Sequence, residues 1–347
     1  MQMLLYDTLE SLLEIKPAWL ALQEKHMQHP FQDFSWHYSW WKHIGLPQGL
    51  RPLIVLFKDK HAVQMIFPLA LHKVENWRII KWSAYEVSDY CTPLVAEACK
   101  AQVGIALRKI IQACKIDSVE LTRLRPECAL FRILKDDFKW SAMDGDPCPC
   151  IDYAVEDFDS WWSGVSTSMR QDRNRKWRRL QKMGEISFRQ ADSPPAVVAV
   201  VEKSLSDKKN WLATRNQQNI MVSQEGRAFL LESLPEMFSR GFVHASALYC
   251  GEHSVAQHFG FLTPQRFYYY YPTWDAEFSA CSPGRLLLIE LIRVSFENHV
   301  AVFDFLRGDE AYKFHFNNHV ALLQSFDRMS SFGRRLVNRI TSLRGTS

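Results

Sequence analysis

The chain has 347 residues, of which 47% are hydrophobic, 13% aromatic and 23% charged, and its formal net charge is +4. This composition is ordinary for a globular protein with room for about two domains, and the small net charge argues against a protein that binds nucleic acid over its whole surface. The N-terminus lacks the pattern of a secretory signal, and no apolar run approaches the ~18 residues of a membrane span, so we expect a cytoplasmic protein.

The eight cysteines are scattered, and Cys148 and Cys150 are their one close pair. No Cys-x2-Cys pair and no Cys/His set has the spacing of a zinc site. We therefore expect buried free thiols in a reducing compartment and no bound metal.

The first half of the chain is predicted to begin with two helices and a hairpin. The hairpin is placed at 52–74 because two apolar runs flank the polar residues 58–61. Ser88-Asp89-Tyr90, between two strand-like pieces, either contacts an acceptor or forms a turn. The other predicted elements are a helix at 11–28, an aromatic-rich helix that ends at Gly45, strands at 77–82 and 118–121, and a helix at 102–114.

The second half repeats this order of elements after a proline- and cysteine-rich segment at 144–151, which is interpreted as a linker. A second hairpin is predicted at 243–262, again with a four-residue polar turn and a strand that begins with valine, which indicates two related α/β units. We expect an α/β (α+β) fold with an N-terminal unit at 1–150 and a C-terminal unit at 151–347. The other predicted elements are helices at 158–165, 168–183, 195–208, 224–241 and from 282, and strands at 185–190, 267–272 and 300–305.

The segment Val302–Phe316, VFDFLRGDEAYKFHF, begins as a strand and then concentrates polar side chains. The end of a buried strand is where α/β proteins usually place their chemistry. The alternative is a charged strand exit with one or two salt bridges, in which Arg307 pairs with Asp309. The polar group consists of Arg307, Gly308, Asp309, Glu310, Tyr312 and Lys313.

The segment 280–292 is predicted as the start of an apolar helix. Ser282 suits the N-cap, Pro283 suits the first helical position, and Gly284 permits close approach to the backbone. Free amides at such an N-terminus bind anions, and Arg285 adds a cation. The alternative is an ordinary capped core helix.

The segment Met169–Met183 carries seven basic residues against one acid, Asp172, with a narrow apolar stripe of Trp177 and Leu180. One interpretation is a helix that contacts a polyanion: the phosphate of a cofactor, tRNA, or an acidic lipid or glycan. The alternative is a solvated basic helix face. No accompanying motif indicates a DNA reader.

Four consecutive tyrosines, Tyr268 to Tyr271, lie in a predicted strand, so alternate members face opposite sides. One pair is expected in the core, and the other is expected to line a groove with hydroxyl groups. Mid-strand His258 is interpreted as a satisfied core residue.

Four segments together carry a family resemblance. They are PFQDFSWHYSWW at 30–41, Ser88-Asp89-Tyr90, the basic helix after residue 168, and the run Tyr268–Phe316. They resemble the GNAT-like acetyltransferases of the BioF2-like, or CelD/BcsL, group, which is related to the FemAB peptidoglycan aminoacyltransferases. The last segment is the most specific, because TWDAEFSACSPGRLLLIELI followed by FDFLRGDEAYKFHF is similar to the pattern of that group.

The resemblance implies tandem GNAT-like units, each a mixed sheet flanked by helices, with the donor in the C-terminal unit. The donor would be acyl-CoA, in particular acetyl-CoA, with its pyrophosphate on the amides of 282–286. The loop departs from the Q/R-x-x-G-x-G/A pattern of ordinary GNATs, and Fem-type relatives use aminoacyl-tRNA, so both donors remain open. The implied cofactor-binding residues are Ser282, Gly284, Arg285 and Leu286.

The implied chemistry is attack of an amine or hydroxyl on a thioester or ester carbonyl. A backbone amide within Ala256–Phe261, on a splayed strand, and the Lys313 ammonium would stabilise the oxyanion. Asp309 or Glu310 would take the acceptor's proton, and Tyr312 would return one to the leaving thiolate. The residues expected to contact the acceptor are Asp89, Tyr90, Tyr268, Tyr270 and Arg307.

Three functions follow from this resemblance. The first is an acyl-CoA-dependent N- or O-acyltransferase that acts on a sugar, a polysaccharide precursor or a lipid intermediate. The second is a Fem-type aminoacyl-tRNA-dependent transferase, and the third is a non-catalytic accessory protein of exopolysaccharide synthesis. The basic tail at 332–345 either touches a membrane surface or forms a solvated helix.

Overall fold

The structure, a computed structural model, describes residues 1–143 and 145–328. They divide into two compact units: unit 1 is Met1–Asp146 together with 322–328, and unit 2 is Pro147–Ala321. The basic tail at 332–345 lies outside the described residues, so its membrane contact stays a prediction. Within the described part of the chain, no helix has the length and apolar content needed to cross a membrane.

The first stretch of unit 1 combines helices with an antiparallel hairpin. Its helices are α1 (Leu9–His26), α2 (Phe34–Trp40), α3 (Val103–Ala113) and α4 (Ala129–Arg132), with short helical turns at Pro30–Gln32, Trp41–Gly45, Glu97–Gln102 and Ile133–Asp137. Its strands are β1 (Gln2–Tyr6), β2 (Arg51–Lys58), β3 (Val63–Val74), β4 (Trp77–Trp82), β5 (Leu94–Val95), β6 (Ser118–Leu124) and β7 (Ser141–Met143).

Local sequence explains the start of α1 and the first hairpin. The Thr8 hydroxyl accepts a hydrogen bond from the Ser11 amide at 3.1 Å and caps α1. Strands β2 and β3 pair antiparallel around a polar turn, as predicted for the first hairpin. The aromatic segment that follows α1 buries its indoles, including Trp36, Trp40 and Trp41, in the core of unit 1.

The Ser88-Asp89-Tyr90 step belongs to that core. The Trp36 indole donates a hydrogen bond to the Ser88 hydroxyl at 2.9 Å, and the Arg125 guanidinium lies 4.8 Å from the centre of the Tyr90 ring. Tyr90 is buried, so its side chain packs in the core of unit 1 instead of facing an acceptor, which corrects that prediction. Asp89 is half-buried, and its contact with an acceptor stays a prediction.

Unit 2 contains a sheet of seven described strands in the order β14-β8-β13-β12-β11-β10-β9. Its strands are β8 (Pro147–Asp152), β9 (Ile186–Gln190), β10 (Val243–Cys250), β11 (His253–Thr263), β12 (Arg266–Trp274), β13 (Val302–Asp304) and β14 (His319–Leu322). Its helices are α5 (Phe158–Gly164), α6 (Thr167–Gln181), α7 (Pro194–Ala213), α8 (Gln224–Ser239) and α9 (Pro283–Glu297), with short helical turns at Ile220–Val222, Ala276–Cys281 and Ala311–His315.

The pairing in unit 2 is mixed, because β12 and β13 run parallel whereas the other paired strands with a given register run antiparallel. The second predicted hairpin is β10–β11, and it is confirmed. The predicted linker at 144–151 is wrong in part, because Pro147–Asp152 forms β8 and pairs with β13. Cys148 and Cys150 are buried there as free thiols.

The last described strand, β15 (Gln324–Arg328), returns to the sheet of unit 1. The strand order there is β1-β2-β3-β4-β6-β15-β7, with β5 added at β3. Ser325 to Asp327 face β7, and Phe326 is buried against Phe131 with a ring distance of 5.5 Å. A division of the chain into 1–150 and 151–347 places this strand in the other unit, so the boundary of the structural units differs from the expected one.

Candidate functional site

A cavity of about 360 Å³ opens in unit 2 beside the first turn of α9. Ligand pockets in proteins typically hold roughly 300–1,000 Å³, so this volume suits part of a small molecule. Aromatic and apolar side chains form most of the wall. The lining residues are Tyr269, Pro272, Trp274, Ser279, Ser282, Pro283, Gly284, Arg285, Leu288, Tyr312 and Phe316.

The cavity exists because β12 and β13 part after three paired residues. Only Arg266 to Tyr268 of β12 pair with β13, although β12 continues to Trp274. At the end of β13 the buried Asp304 carboxylate pairs with Arg266 at 2.8 Å and accepts a hydrogen bond from the Leu306 amide at 2.9 Å. These contacts hold the end of β13 at the point where the following segment separates from β12.

Beyond that point the chain follows β8 instead of β12. The amides of Phe305 and Gly308 donate hydrogen bonds to the carbonyls of Pro149 and Pro147, each at 3.0 Å. The second half of β12 therefore lacks a paired strand on that edge among the described residues. This parting, rather than Ala256–Phe261, is the splayed feature, because β11 is paired with β10 and with β12.

A bulge in β12 decides which tyrosine faces the cavity. The pairing of β11 with β12 shifts between Phe259 and Phe261, so two residues of β12 oppose Gly260. A Cβ on Gly260 would lie 2.3 Å from the Tyr268 carbonyl oxygen and 2.8 Å from His258 Nε2, so only glycine fits there. The His258 ring thereby reaches across, and its Nε2 accepts a hydrogen bond from the Tyr270 amide at 3.3 Å.

The face assignment of the tyrosines is consequently wrong. Tyr269 stacks on His258 at 4.9 Å with an interplanar angle of 7°, and it lines the cavity. Tyr268 is buried and does not line it, and Tyr270 packs against Phe261 at 5.3 Å. Tyr269 shares the cavity wall with Pro272 and Trp274 instead of with Tyr271, so the alternation of faces is interrupted at the bulge.

The first turn of α9 offers fewer free amides than predicted. Ser282 occupies the predicted N-cap position, but its backbone is left-handed (φ 50°, ψ 52°) and its side chain makes no capping hydrogen bond. The amides of Arg285 and Leu286 both donate to the Ser282 carbonyl, at 3.0 and 3.3 Å. Because Pro283 has no N–H, the Gly284 amide is the one of this turn without an acceptor among the described residues.

Gly284 also determines how closely Trp274 approaches the helix. A Cβ on Gly284 would lie 3.1 Å from Cε3 of the Trp274 ring, so the indole lies against the bare glycine backbone. Trp274 remains 42% exposed and lines the cavity. Leu286, by contrast, is buried in the core of unit 2 and contributes no side chain to the cavity.

The basic helix α6 packs beside α9 and adjoins the cavity. The Arg285 guanidinium pairs with Asp172 of α6 at 3.1 Å, and Arg173 pairs with Glu290 of α9 at 3.2 Å. Lys176 donates a hydrogen bond to the Ala280 carbonyl at 2.9 Å, just before the helix start. Arg173 and Lys176 of α6 are therefore engaged in contacts within unit 2. The exposed cations of α6 and its C-terminal flank are Arg175, Arg178, Arg179 and Lys182.

The polar group after β13 is a compact loop in which Lys313 is central. Lys313 is only 5% exposed, and its ammonium donates to the Arg307 carbonyl at 2.7 Å and pairs with Glu310 at 2.9 Å. Asp309 and Glu310 are exposed and do not line the cavity. The Lys313 ammonium is therefore engaged by its own loop, and the alternative of a salt-bridged strand exit accounts for these contacts.

Tyr312 is the member of that loop that reaches the cavity. Its ring lies 6.4 Å from the Tyr269 ring, and burial raises the pKa of its phenol, with a further contribution from the nearby Glu310 carboxylate. The phenol therefore stays protonated at neutral pH and is a hydrogen-bond donor. Tyr269, Pro272, Trp274, Ser279 and Phe316 were not predicted as site residues, and the mid-strand Gly260 was the available signal for the bulge.

Four buried histidines make the folded chain sensitive to mild acid. Burial lowers the pKa of His29 and His37 from 6.5 to about 3, that of His244 to about 4, and that of His258 well below 6.5. Below pH 6.5 the unfolded chain binds more protons than the folded chain. The stabilisation is therefore complete above pH 6.5 and is lost as the pH falls toward the folded-state pKa values.

We predict that His244→Leu weakens this pH dependence. His244 packs on Phe267 at 5.0 Å, and neither ring nitrogen has a partner among the described residues, so leucine removes a group that must stay neutral. The slope of the unfolding free energy against pH between 6.5 and about 4 should decrease by up to about 1.4 kcal/mol per pH unit in denaturant titrations. Phe267→Leu, at the ring on which His244 packs, removes no ionisable group and should leave the slope unchanged. An equal slope in both variants would contradict a neutral His244.

Among the described residues, no group of three or more His, Cys, Asp or Glu side chains is arranged to hold a metal ion. The side chains that could hold a cofactor at the cavity are instead Arg285 and the hydroxyls of Ser279 and Ser282, next to the Gly284 amide. One cation, hydroxyl groups and a free amide beside an aromatic wall suit an anionic group attached to an apolar one.

Residues 167–314 match the family model described as Acetyltransferase (GNAT) domain. The matched range runs from α6 to the loop of Lys313 and includes every residue that lines the cavity except Phe316. No curated protein matches the sequence.

Solved structures with the same fold have low sequence identity to this chain. FemX is 10% identical with a TM-score of 0.62, covering 98% of this chain and 100% of its own. The C-terminal domain (DUF2156) of a putative lysylphosphatidylglycerol synthetase from Agrobacterium fabrum is 10% identical with a TM-score of 0.61, covering 97% and 98%. L-PGS from Bacillus licheniformis is 11% identical with a TM-score of 0.60, covering 95% and 97%. The predicted α/β fold of GNAT-like units is thereby confirmed.

Proposed function

We propose that this GNAT-type acyltransferase moves an acyl group, in particular acetyl, from acyl-CoA to an amine or hydroxyl of a sugar, a polysaccharide precursor or a lipid intermediate. The observation that carries the proposal is the cavity at the parting of β12 and β13, closed on one side by the first turn of α9. Within the GNAT fold, we propose the BioF2-like, or CelD/BcsL, group as the specific relative. The eight free thiols fit a reducing compartment, so we place the protein in the cytoplasm.

The shape and chemistry of the cavity support a thioester donor. Its apolar wall of Tyr269, Pro272, Leu288 and Phe316 suits an acyl group and the adjoining carbon chain. Its polar end suits the donor's phosphates, because Arg285 and the Gly284 amide lie at a helix N-terminus. Among the predicted donor residues, Leu286 would act only by packing the helix in place.

The residues after β13 have separate proposed roles in the acyl-transfer step. We propose that the phenol of Tyr312, which lines the cavity and is protonated at neutral pH, donates a hydrogen bond to the leaving sulfur. Lys313 is proposed to hold the loop that positions Tyr312, and its role in charge stabilisation stays a prediction. Asp309 and Glu310 stay candidates for proton transfer. Arg307, Tyr270 and Asp89 stay candidates for acceptor contact.

The second candidate is a Fem-type aminoacyl-tRNA-dependent transferase. The exposed cations of α6 and its flank favour it, because a row of basic side chains suits a phosphate backbone. The shared fold of FemX is compatible with it. A non-catalytic accessory protein is the third candidate, and the cavity-facing Tyr312 speaks against it.

Calorimetric titration with acetyl-CoA, CoA and one long-chain acyl-CoA tests the first candidate. We expect acetyl-CoA to bind with a Kd of about 1–100 μM, a range in which enzymes commonly bind their substrates. Absence of heat with all three ligands would contradict the acyl-CoA proposal. In that event, a tRNA affinity that falls steeply with added salt would support the second candidate.

A further inference from the structure

A second, smaller concavity lies beside the cavity, on the α7 side of β12. It has a volume of about 20 Å³ and shares Pro272 and Trp274 with the larger cavity. The two spaces thus meet along the part of β12 that has no partner from β13. The residues that line the smaller one are Asp207, Lys208, Trp211, Pro272, Thr273 and Trp274.

Asp207 is the ionisable group buried in this concavity, and only 8% of its surface is exposed. One carboxylate oxygen, Oδ1, pairs with Lys203 Nζ at 2.5 Å. The other, Oδ2, has no hydrogen-bond partner among the described residues. Lys203 is shared, because its ammonium also lies 3.7 Å from Asp275.

The ordinary explanation is a helical ion pair one turn apart on α7. That pair accounts for Oδ1 and leaves Oδ2 without a partner, whereas buried polar atoms are nearly always paired with protein or water. A space of about 10–15 Å³ is enough to hold one water molecule, so the concavity has room for a water that bonds to Oδ2. Such a water would lie next to Pro272 and Trp274, at the edge of the proposed acyl-donor cavity.

Charged groups of both signs act on the Asp207 carboxyl. Lys203 of α7 supplies positive charge to the carboxyl, and Asp275, which follows β12, supplies negative charge. Lys208 also lines the concavity. Burial raises the pKa of the Asp207 carboxyl, and the Lys203 contacts oppose that rise. A raised pKa makes the Asp207 carboxylate a better proton acceptor than it would be at its ordinary pKa.

Building on the acyltransferase function proposed above, we propose that Asp207 accepts, through one water molecule, the proton of the acceptor's amine or hydroxyl. The nucleophile forms a bond to the thioester carbonyl carbon while its proton passes to the water, and a proton of the water passes to Asp207 Oδ2. The tetrahedral intermediate then collapses, the C–S bond breaks, and CoA leaves as a thiolate. The proton on Asp207 returns through the water to the thiolate or to solvent, so no other reactant is needed.

The test compares Asp207→Asn with the wild-type enzyme in acetyl transfer from acetyl-CoA to glucosamine and to hydroxylamine. Glucosamine stands in for an amine that needs a proton acceptor, whereas hydroxylamine is uncharged and reactive at neutral pH and depends less on one. We expect Asp207→Asn to lower kcat with glucosamine at least about 100-fold and to affect hydroxylamine much less, with an unchanged Kd for acetyl-CoA. Glu202→Gln, a carboxylate-to-amide change on the same helix, should behave as wild type.

The pH profile separates this role from a structural one. The wild-type kcat/KM, calculated per concentration of unprotonated glucosamine amine, should fall as the pH decreases through the raised pKa of Asp207, because the protonated carboxyl cannot accept a proton. Asp207→Asn should lack this limb, and Asp207→Glu should keep an acidic limb that lies at a shifted pH, with a reduced rate. If Asp207→Asn fails to fold, the profile of Asp207→Glu decides, and an acidic limb identical to that of the wild type would overturn the proposal.

The two proposals fail in different ways. Equal rates of the wild type and Asp207→Asn with glucosamine would overturn the role of Asp207 and leave the donor site standing. A wild-type protein that does not bind acetyl-CoA would overturn the proposed function, and this inference with it.

Discussion

Gly284→Glu is expected to weaken acetyl-CoA binding at least about 100-fold, which corresponds to about 2.7 kcal/mol, while unit 2 stays folded. The new Cβ would lie 3.1 Å from the exposed Trp274 ring, so the indole must move. The added carboxylate would compete with the donor's phosphates for the Gly284 amide and for Arg285. Calorimetry with acetyl-CoA measures the loss of affinity, and circular dichroism reports whether the fold is kept.

Gly164→Glu provides a matched control for this variant. Gly164 ends α5 in the same unit, and a Cβ there meets no atom within 4 Å. Its substitution should leave the acetyl-CoA affinity within about threefold of wild type, which is about 0.7 kcal/mol. If Gly284→Glu bound acetyl-CoA as tightly as Gly164→Glu, the first turn of α9 would not be the donor site.

Lys313→Met is expected to lower kcat by at least about tenfold and to reduce the free energy of unfolding by about 2 kcal/mol, the usual range for a hydrogen bond to a charged group. Methionine keeps the buried stem and removes the ammonium that bonds to the Arg307 carbonyl and to Glu310. The loop that carries Tyr312 would then lose the hydrogen bond and the ion pair that hold its two ends together. Steady-state kinetics with acetyl-CoA and denaturant titration measure the two effects.

Two further variants identify what the Lys313 ammonium does. Lys313→Arg keeps a cationic donor and should recover part of the rate, whereas Lys209→Met removes an exposed lysine of α7 and should have no effect. The acetyl-CoA Kd of Lys313→Met should change by less than about threefold, since Lys313 does not line the cavity. A loss confined to donor affinity would contradict both the positioning role and the predicted charge stabilisation.

The elements of the fold that local chemistry specifies were predictable from the sequence. Both hairpins were visible because polar turn residues separate apolar runs, and the start of α9 was visible from Pro283. The strand β8 was missed because prolines and cysteines mask its pattern, although it lies between β14 and β13 in the sheet of unit 2. Pairing with distant strands, rather than local propensity, makes this segment a strand.

The site was predictable as a region and less so as a set of contacts. Gly284, Arg285 and Tyr312, which the sequence singled out, line one cavity. The prediction misassigned the tyrosine that faces the cavity, because the bulge opposite Gly260 interrupts the alternation of faces. The left-handed backbone of Ser282 and the buried, engaged ammonium of Lys313 depend on packing, which a linear pattern does not contain.

The return of β15 to unit 1 means that the two units are not consecutive along the chain. Unit 2 is inserted between β7 and the strand that pairs with both β6 and β7. During synthesis, the sheet of unit 1 therefore stays incomplete until unit 2 has been translated, so unit 2 has the opportunity to fold first. A chain cut after residue 321 would lose the link between β6 and β7, and the damage would fall on the unit that does not hold the donor cavity.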